Sequence, residues 1–180
     1  MNSNANPGLE QKLQAILPLA TAWIRDTLAA HAAQARPVTS FGFRRLPLYY
    51  PEELLQRTKV GTLPGKLPVP PLHAWGLDLP AFADFENLNA AGITYLDTYF
   101  VQESLATDES LHFHELVHII QWAHLGPERF LLDYALGLAQ FEYRDSPLET
   151  MAYDLQAEFE SAFAPFEVEP TIIQKLTCRN

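Results

Sequence analysis

Basic residues are scarce in this chain, where 12 Lys and Arg face 22 Asp and Glu for a formal net charge of −10 over 180 residues and a pI near 4.9. No basic cluster longer than Arg44-Arg45 interrupts that balance. A surface of this sign repels phosphate backbones, so no nucleic-acid partner is expected. Long apolar runs are missing too. The richest, Leu116 to Trp122 and Phe130 to Phe141, are broken by His118, Gln121, Asp133 and Gln140, well short of the ~18 residues of a membrane span. Cysteine is reduced to Cys178, which allows no internal disulfide and fits a reducing compartment. The Asn-rich residues 1–10 lack the basic and apolar regions of a secretory signal. The expectation is therefore a cytoplasmic protein with a flexible tail over 1–10, and the oligomeric state stays open.

What is present is enough apolar material, 48% of residues, for one domain over 11–180 with a core of its own. Leu13, Ile16, Leu17, Ala20, Trp23, Ile24 and Leu28 recur at helical spacing and predict an amphipathic helix over 11–34, kinked or restarted at Pro18. Residues 35–50 read as irregular, and Pro51 to Leu55 as a short helix. Residues 62–80, rich in Pro and Gly, read as an ordered or extended loop rather than a strand or helix, long enough to cover a cleft. No repeat is visible. Residues 93–101 (ITYLDTYFV) have the composition of a strand, with Ile93, Tyr95, Asp97, Tyr99 and Val101 on one face. Three helices follow at about 108–124, 127–141 and 147–164. Asp108 caps the first, Gly126 ends it, Pro127 starts the second, and Ser146-Pro147-Leu148-Glu149 opens the third. Thr171 to Leu176 reads as one more short helical segment.

The chemistry lies in Leu111 to Trp122, LHFHELVHIIQW, which contains His114-Glu115-Leu116-Val117-His118 and satisfies the pattern H-E-x-x-H. Histidines four apart on a helix sit about 40° apart around its axis, so both imidazoles reach one ion. Glu115 then lies beside the ion, placed to take a proton from attacking water and return it to a leaving amine. With six His and 14 Glu in the chain, chance would produce the pattern roughly 1 to 2% of the time. The flanking Leu111, Phe113, Leu116, Val117, Ile119, Ile120 and Trp122 would bury the helix on most sides. Its stripe of His114, His118 and Gln121 then needs a metal or other polar partners.

A catalytic zinc ion usually has three protein ligands and an open position. Glu149, 31 residues after His118, can return on a later helix as the third ligand, or it can be the last residue of a capping box begun by Ser146. His124 reproduces the spacing H-E-x-x-H-x-x-G-x-x-H, but Gln121 stands where glycine would let the chain turn, so a continuing helix carries it some 120° away from His118. His112 falls roughly on the opposite side and reads as structural or exposed. Tyr153, four residues after Glu149, shares its face and is a candidate oxyanion stabiliser or a core tyrosine. Tyr143 invites the same reading with less support. Tyr95, Tyr99 and Trp122 read as core or cleft wall.

Between roughly residues 80 and 160 these features resemble zincin-like metallopeptidases of the gluzincin type, in particular a bacterial family catalogued as a domain of unknown function. The likeness rests on Asn89-Ala-Ala-Gly-Ile-Thr94 leading into a strand, on the motif with its trailing Gln121, and on Tyr143-Arg-Asp-Ser-Pro-Leu-Glu149-Thr-Met-Ala152. It implies zinc held by His114, His118 and Glu149, Glu115 as catalytic base, and a strand edge at 93–101 that aligns an extended substrate. The better-known gluzincin pattern N-E-x-x-S-D is not kept, because Leu148, Ala152 and Tyr153 take its Asn, Ser and Asp positions and Asp154 comes one residue late. The groups that orient the imidazoles are therefore unassigned.

The expected fold is α+β, a mostly helical zincin-like domain with a small sheet beside the motif helix. The expected function is a zinc-dependent metallohydrolase acting on a peptide or protein. A zinc-stabilised binding or assembly module, or a zinc hydrolase of a non-peptide amide or ester, is the alternative.

Overall fold

The computed structural model describes residues 7–178. Helix α1 (Pro7–His31) starts four residues earlier than expected and runs through Pro18 as one element. Residues 7–10 of the expected tail are thus helical, and 1–6 lie outside the described residues. Its Leu13, Ala20 and Ile24 are buried, the spacing that an amphipathic face requires.

Strands β1 (Arg36–Pro37), β2 (Lys59–Leu63), β3 (Gly92–Tyr95) and β4 (Thr98–Gln102) form a sheet in the order β1-β2-β4-β3. The pairings of β1 with β2 and of β3 with β4 are antiparallel, and that of β2 with β4 is parallel. The single strand expected at 93–101 is therefore a hairpin. Tyr95 pairs with Thr98, and Leu96-Asp97 make the turn with a positive φ of 59° at Leu96. Such turns usually announce themselves with Gly or Asn, and here neither is present. The loop expected over 62–80 also needs correction, because β2 reaches Leu63, a 3₁₀ turn covers His73–Trp75 and helix α3 (Pro80–Asn87) begins at Pro80. Proline at the first position of α3 is compatible with a helix start because its missing N–H has no helical partner to lose. Helix α2 (Glu52–Arg57) forms where the sequence indicated a short helix from Pro51 to Leu55 and runs two residues beyond it.

Helix α4 (Glu109–Leu125) is the centre of the fold, with every residue from His112 to Trp122 buried. The sheet, through β3 and β4, lies against it, as do α5 (Pro127–Asp145), α6 (Pro147–Ser161) and α7 (Val168–Thr177). Its ends follow the sequence signals. The Asp108 carboxylate accepts from the Ser110 and Leu111 amides at 3.1 and 3.2 Å, and Gly126 closes the last turn by donating to the Trp122 carbonyl. Regular helix in α5 gives way at Glu142 (φ 65°), one residue past the expected end. Helix α6 is pressed onto α4 by Phe113 stacked on Phe159 at 4.4 Å, with Tyr49 edge-on to both. That contact sets the distance between the motif and Glu149.

His112 is structural. Its Nε2–H donates to the Ala106 carbonyl at 3.1 Å, so Nδ1 accepts from the Tyr99 hydroxyl at 2.6 Å. The ring lies against Phe41 and Phe43, and burial pushes its pKa down to about 4. Replacing His112 with alanine opens a cavity and leaves the Tyr99 hydroxyl without a partner, an expected loss of about 2–4 kcal/mol. Urea unfolding of metal-free wild type and variant measures it, and a loss below about 0.5 kcal/mol would contradict a structural role.

Candidate metal centre

Three side chains converge where α4 faces α6. His114 Nε2 and His118 Nε2 lie 3.1 Å apart, and the Glu149 carboxylate reaches them at 3.3 Å and 3.4 Å. All three residues are buried. The histidines come together because four residues make slightly more than one helical turn. Glu149 joins them because α6 starts at Pro147 and directs its first turn at α4. The Ser146 side chain makes no capping bond, so Glu149 is not the partner in a capping box. His124 is exposed near the end of α4 and takes no part, and Asp154 is exposed as well.

The imidazoles are oriented by two glutamines. His118 Nδ1 is 2.8 Å from Gln121 Oε1, whose amide nitrogen donates to the Leu148 carbonyl at 3.1 Å. His114 Nδ1 is 3.0 Å from Gln156 Oε1, whose nitrogen donates to the Ser110 hydroxyl at 3.0 Å and lies 3.4 Å from the Glu160 carboxylate. Each amide nitrogen is thus committed to an acceptor, and each amide oxygen must accept Nδ1–H. Both Nε2 lone pairs then point into the centre.

That arrangement could hold a cation. Two imidazole nitrogens and a carboxylate face one another, and the buried Glu149 Oε2 has the 3.3 Å contact with His114 Nε2 but no hydrogen bond. Its Oε1 accepts from the Tyr134 hydroxyl at 2.7 Å. Donor atoms held about 3.3 Å apart match a tetrahedral ion with bonds of ~2.0 Å, and an N,N,O set suits zinc. The same field attracts protons. Burial lowers the His118 pKa, but Glu149 outweighs it and holds it up at about 9. For Glu149, burial acts upward, and the charge of His118, with His114 beside it, carries the carboxyl well below the usual range. A divalent ion would compete with that proton for the same lone pairs.

Glu115 lies beside the centre under the sheet edge. Its Oε2 accepts from the Thr94 hydroxyl at 2.6 Å, and burial raises its pKa against the downward pull of His114, His118 and Thr94. Gly92 is required here for space, since a Cβ there would lie 2.2 Å from Glu115 Oε1. Tyr153, half-buried, packs its ring 4.6 Å from that of His114. Tyr99 is core, while Tyr95 and Trp122 line a cavity.

Two spaces adjoin these groups. An apolar cavity of about 100 Å³ reaches Glu115, His118 and Glu149, and Val69, Pro70 and Leu72 of the proline-rich segment form part of its wall. The Tyr95 hydroxyl anchors that segment through the Pro68 carbonyl at 2.7 Å. A groove of about 310 Å³ passes residues 88–92, His114, Glu115, Tyr153 and Gln156. β3 is the sheet edge beside the centre, but its Thr94 carbonyl accepts from the Trp122 indole at 3.2 Å. Its free polar edge is therefore shorter than the expected 93–101 strand would have offered.

Sequence reasoning named the four central residues and gave no site role to Tyr134, Thr94, Gly92 and Gln156. Gln156 carried a signal, lying seven residues after Glu149 and hence on its face. Tyr134 comes from another element and carried none, and Thr94 stood out only as the end of the Asn89–Thr94 stretch leading into a strand. Removing the Gln121 support should weaken metal binding roughly 10- to 100-fold, as losing a histidine-orienting partner does. Competition of Gln121→Ala and wild type against a zinc-chelating dye reads this directly, and equal affinities would contradict the orienting role. Among the described residues no helix is long and apolar enough to cross a membrane. In comparison with known proteins, the chain matches no family model, no curated protein and no solved structure, so the reading of this centre rests on its own geometry.

Proposed function

We propose that the protein is a zinc-dependent hydrolase that cleaves peptide bonds. The observation that carries this reading is the buried convergence of two imidazole Nε2 atoms and the Glu149 carboxylate within 3.4 Å of one another, with the Glu115 carboxylate beside them. His114, His118 and Glu149 would hold the ion, which supplies polarisation of a substrate carbonyl and acidifies water. Glu115 takes the proton from the attacking water and hands it to the departing amine. Thr94 fixes one oxygen of that carboxylate, and Gly92 leaves room for the other. Tyr153, beside His114 in the groove, offers its hydroxyl to the oxyanion. The groove along residues 88–92 accommodates a chain, and the acidic surface favours neutral or basic substrates.

The shortened β3 edge supports a second reading, hydrolysis of a small non-peptide amide or ester that needs no long strand to pair with. A mixed peptide library incubated with zinc-loaded protein and read by mass spectrometry separates them. New termini that vanish with chelator and return with zinc are expected. Absence of peptide cleavage would overturn the peptidase reading, in favour of the small-amide hydrolase or a zinc-stabilised binding module.

A further inference from the structure

We propose that the apolar cavity beside the metal centre is a specificity subsite for one branched aliphatic group of the substrate, a valine, leucine or isoleucine side chain, and that it rejects aromatic rings. The inference rests on the proposed hydrolase reading and adds the substrate class. Its first support is continuity. The walls are Val69, Leu72, Phe85, Trp122, Phe130 and Leu138, and the cavity ends on Glu115, His118 and Glu149. A group seated there leaves its parent carbonyl near the centre.

The second support is chemistry. Away from the metal-site residues, polar groups that reach the cavity already have partners: the Thr94 hydroxyl bonds to Glu115, the Tyr134 hydroxyl to Glu149, the Tyr95 hydroxyl to the Pro68 carbonyl, and the Trp122 N–H to the Thr94 carbonyl. Water in the apolar part would find too few partners to be held well. Each methylene that replaces it is worth roughly fourfold in affinity.

The third support is size. An apolar cavity of about 150 Å³ is known to accept a benzene ring, whereas this one measures about 100 Å³. Three or four saturated carbons fit, and a benzyl group does not. The wall has little freedom to widen, because the proline-rich segment is anchored at Pro68 by Tyr95 and at Lys66, whose ammonium donates to the Glu86 carbonyl at 2.5 Å.

The test is calorimetric binding of the hydroxamates of glycine, leucine and phenylalanine to zinc-loaded protein. All three carry the same metal-binding head, so their differences read the cavity without any turnover. The leucine compound should bind at least about tenfold more tightly than the glycine compound, and the phenylalanine compound no more tightly than glycine. Ala135→Leu, which places a larger side chain at a lining position, should cut the leucine advantage to below about threefold and leave glycine hydroxamate unchanged. Unchanged glycine binding also shows that the variant is folded, and Leu131→Phe serves the same purpose if it is not. Equal binding of leucine and glycine compounds by wild type would overturn the subsite. Phenylalanine binding as tight as leucine would overturn its size limit. Failure of every hydroxamate to bind would instead sink the accessible metal centre, and the subsite with it.

Discussion

Glu149→Ala is expected to strip the protein of its metal. After zinc reconstitution and desalting, wild type should hold one ion per chain by plasma emission spectroscopy, and Glu149→Ala and His118→Ala less than about a tenth of that. Apparent binding energies of structural zinc sites run to about 10–16 kcal/mol over four ligands, so one ligand is worth about 3–4 kcal/mol, or roughly 10²- to 10³-fold in affinity. The Glu149 case is sharper than an exposed ligand would be. Its carboxylate is the negative member of the trio, and its removal leaves two buried neutral imidazoles facing each other at 3.1 Å. Because an ion that binds the folded chain stabilises it by mass action, zinc should raise the melting temperature of wild type and leave these variants where they were. Full zinc retention by Glu149→Ala would refute the ligand set.

Glu115→Gln should do the opposite, keeping a full complement of zinc while turnover falls by roughly 10²- to 10⁴-fold, the usual loss when a general base is removed. Gly92→Ala is the more demanding version of the same prediction, because it changes no catalytic atom. A methyl group there would lie 2.2 Å from Oε1 and 2.6 Å from Cδ of Glu115, so the carboxylate must shift by about 1 Å. A displacement of that size costs about 10²-fold in rate. The overpacking, with strain on the Thr94 bond, should also cost about 1–3 kcal/mol in urea unfolding. Zinc content beside turnover checks both variants. Gly92→Ala with full zinc and full turnover would show that the base does not depend on the position seen here.

The elements that were legible in the sequence are those written in local chemistry. The bounds of α4 follow from Asp108 and Gly126, the starts of α5 and α6 from Pro127 and Pro147, and the burial of α4 from apolar residues on nearly all its sides. Where the signal was not local, the reading failed. The β3–β4 hairpin reads as one strand in the sequence because its turn, Leu96-Asp97, places Leu96 at a positive φ without glycine or asparagine. Strand β2 was hidden at the start of a proline-rich stretch, since its partner β4 lies some forty residues later. Helix α7, begun at Val168, runs longer than the expected 171–176 because buried Val168, Ile172 and Leu176 pack it on the core.

The candidate centre divides along the same line. Helical spacing alone determined that His114 and His118 share a face with Glu115 between them, because 3.6 residues per turn leaves no other outcome once the segment is helical. It carried His124 off that face, but it could not bring Glu149 to the imidazoles or name what orients the rings. Tertiary structure decided those points. The Phe113–Phe159 contact brings α6 against α4, which aims Glu149 at the imidazoles and supplies Gln156, while His124 is left in solvent. It also brought Tyr134 from α5 and Thr94 and Gly92 from β3, residues with no sequence relation to the motif. The physical reason is range: backbone geometry correlates residues over a few positions, whereas packing between elements selects neighbours by shape and burial wherever they fall in the chain.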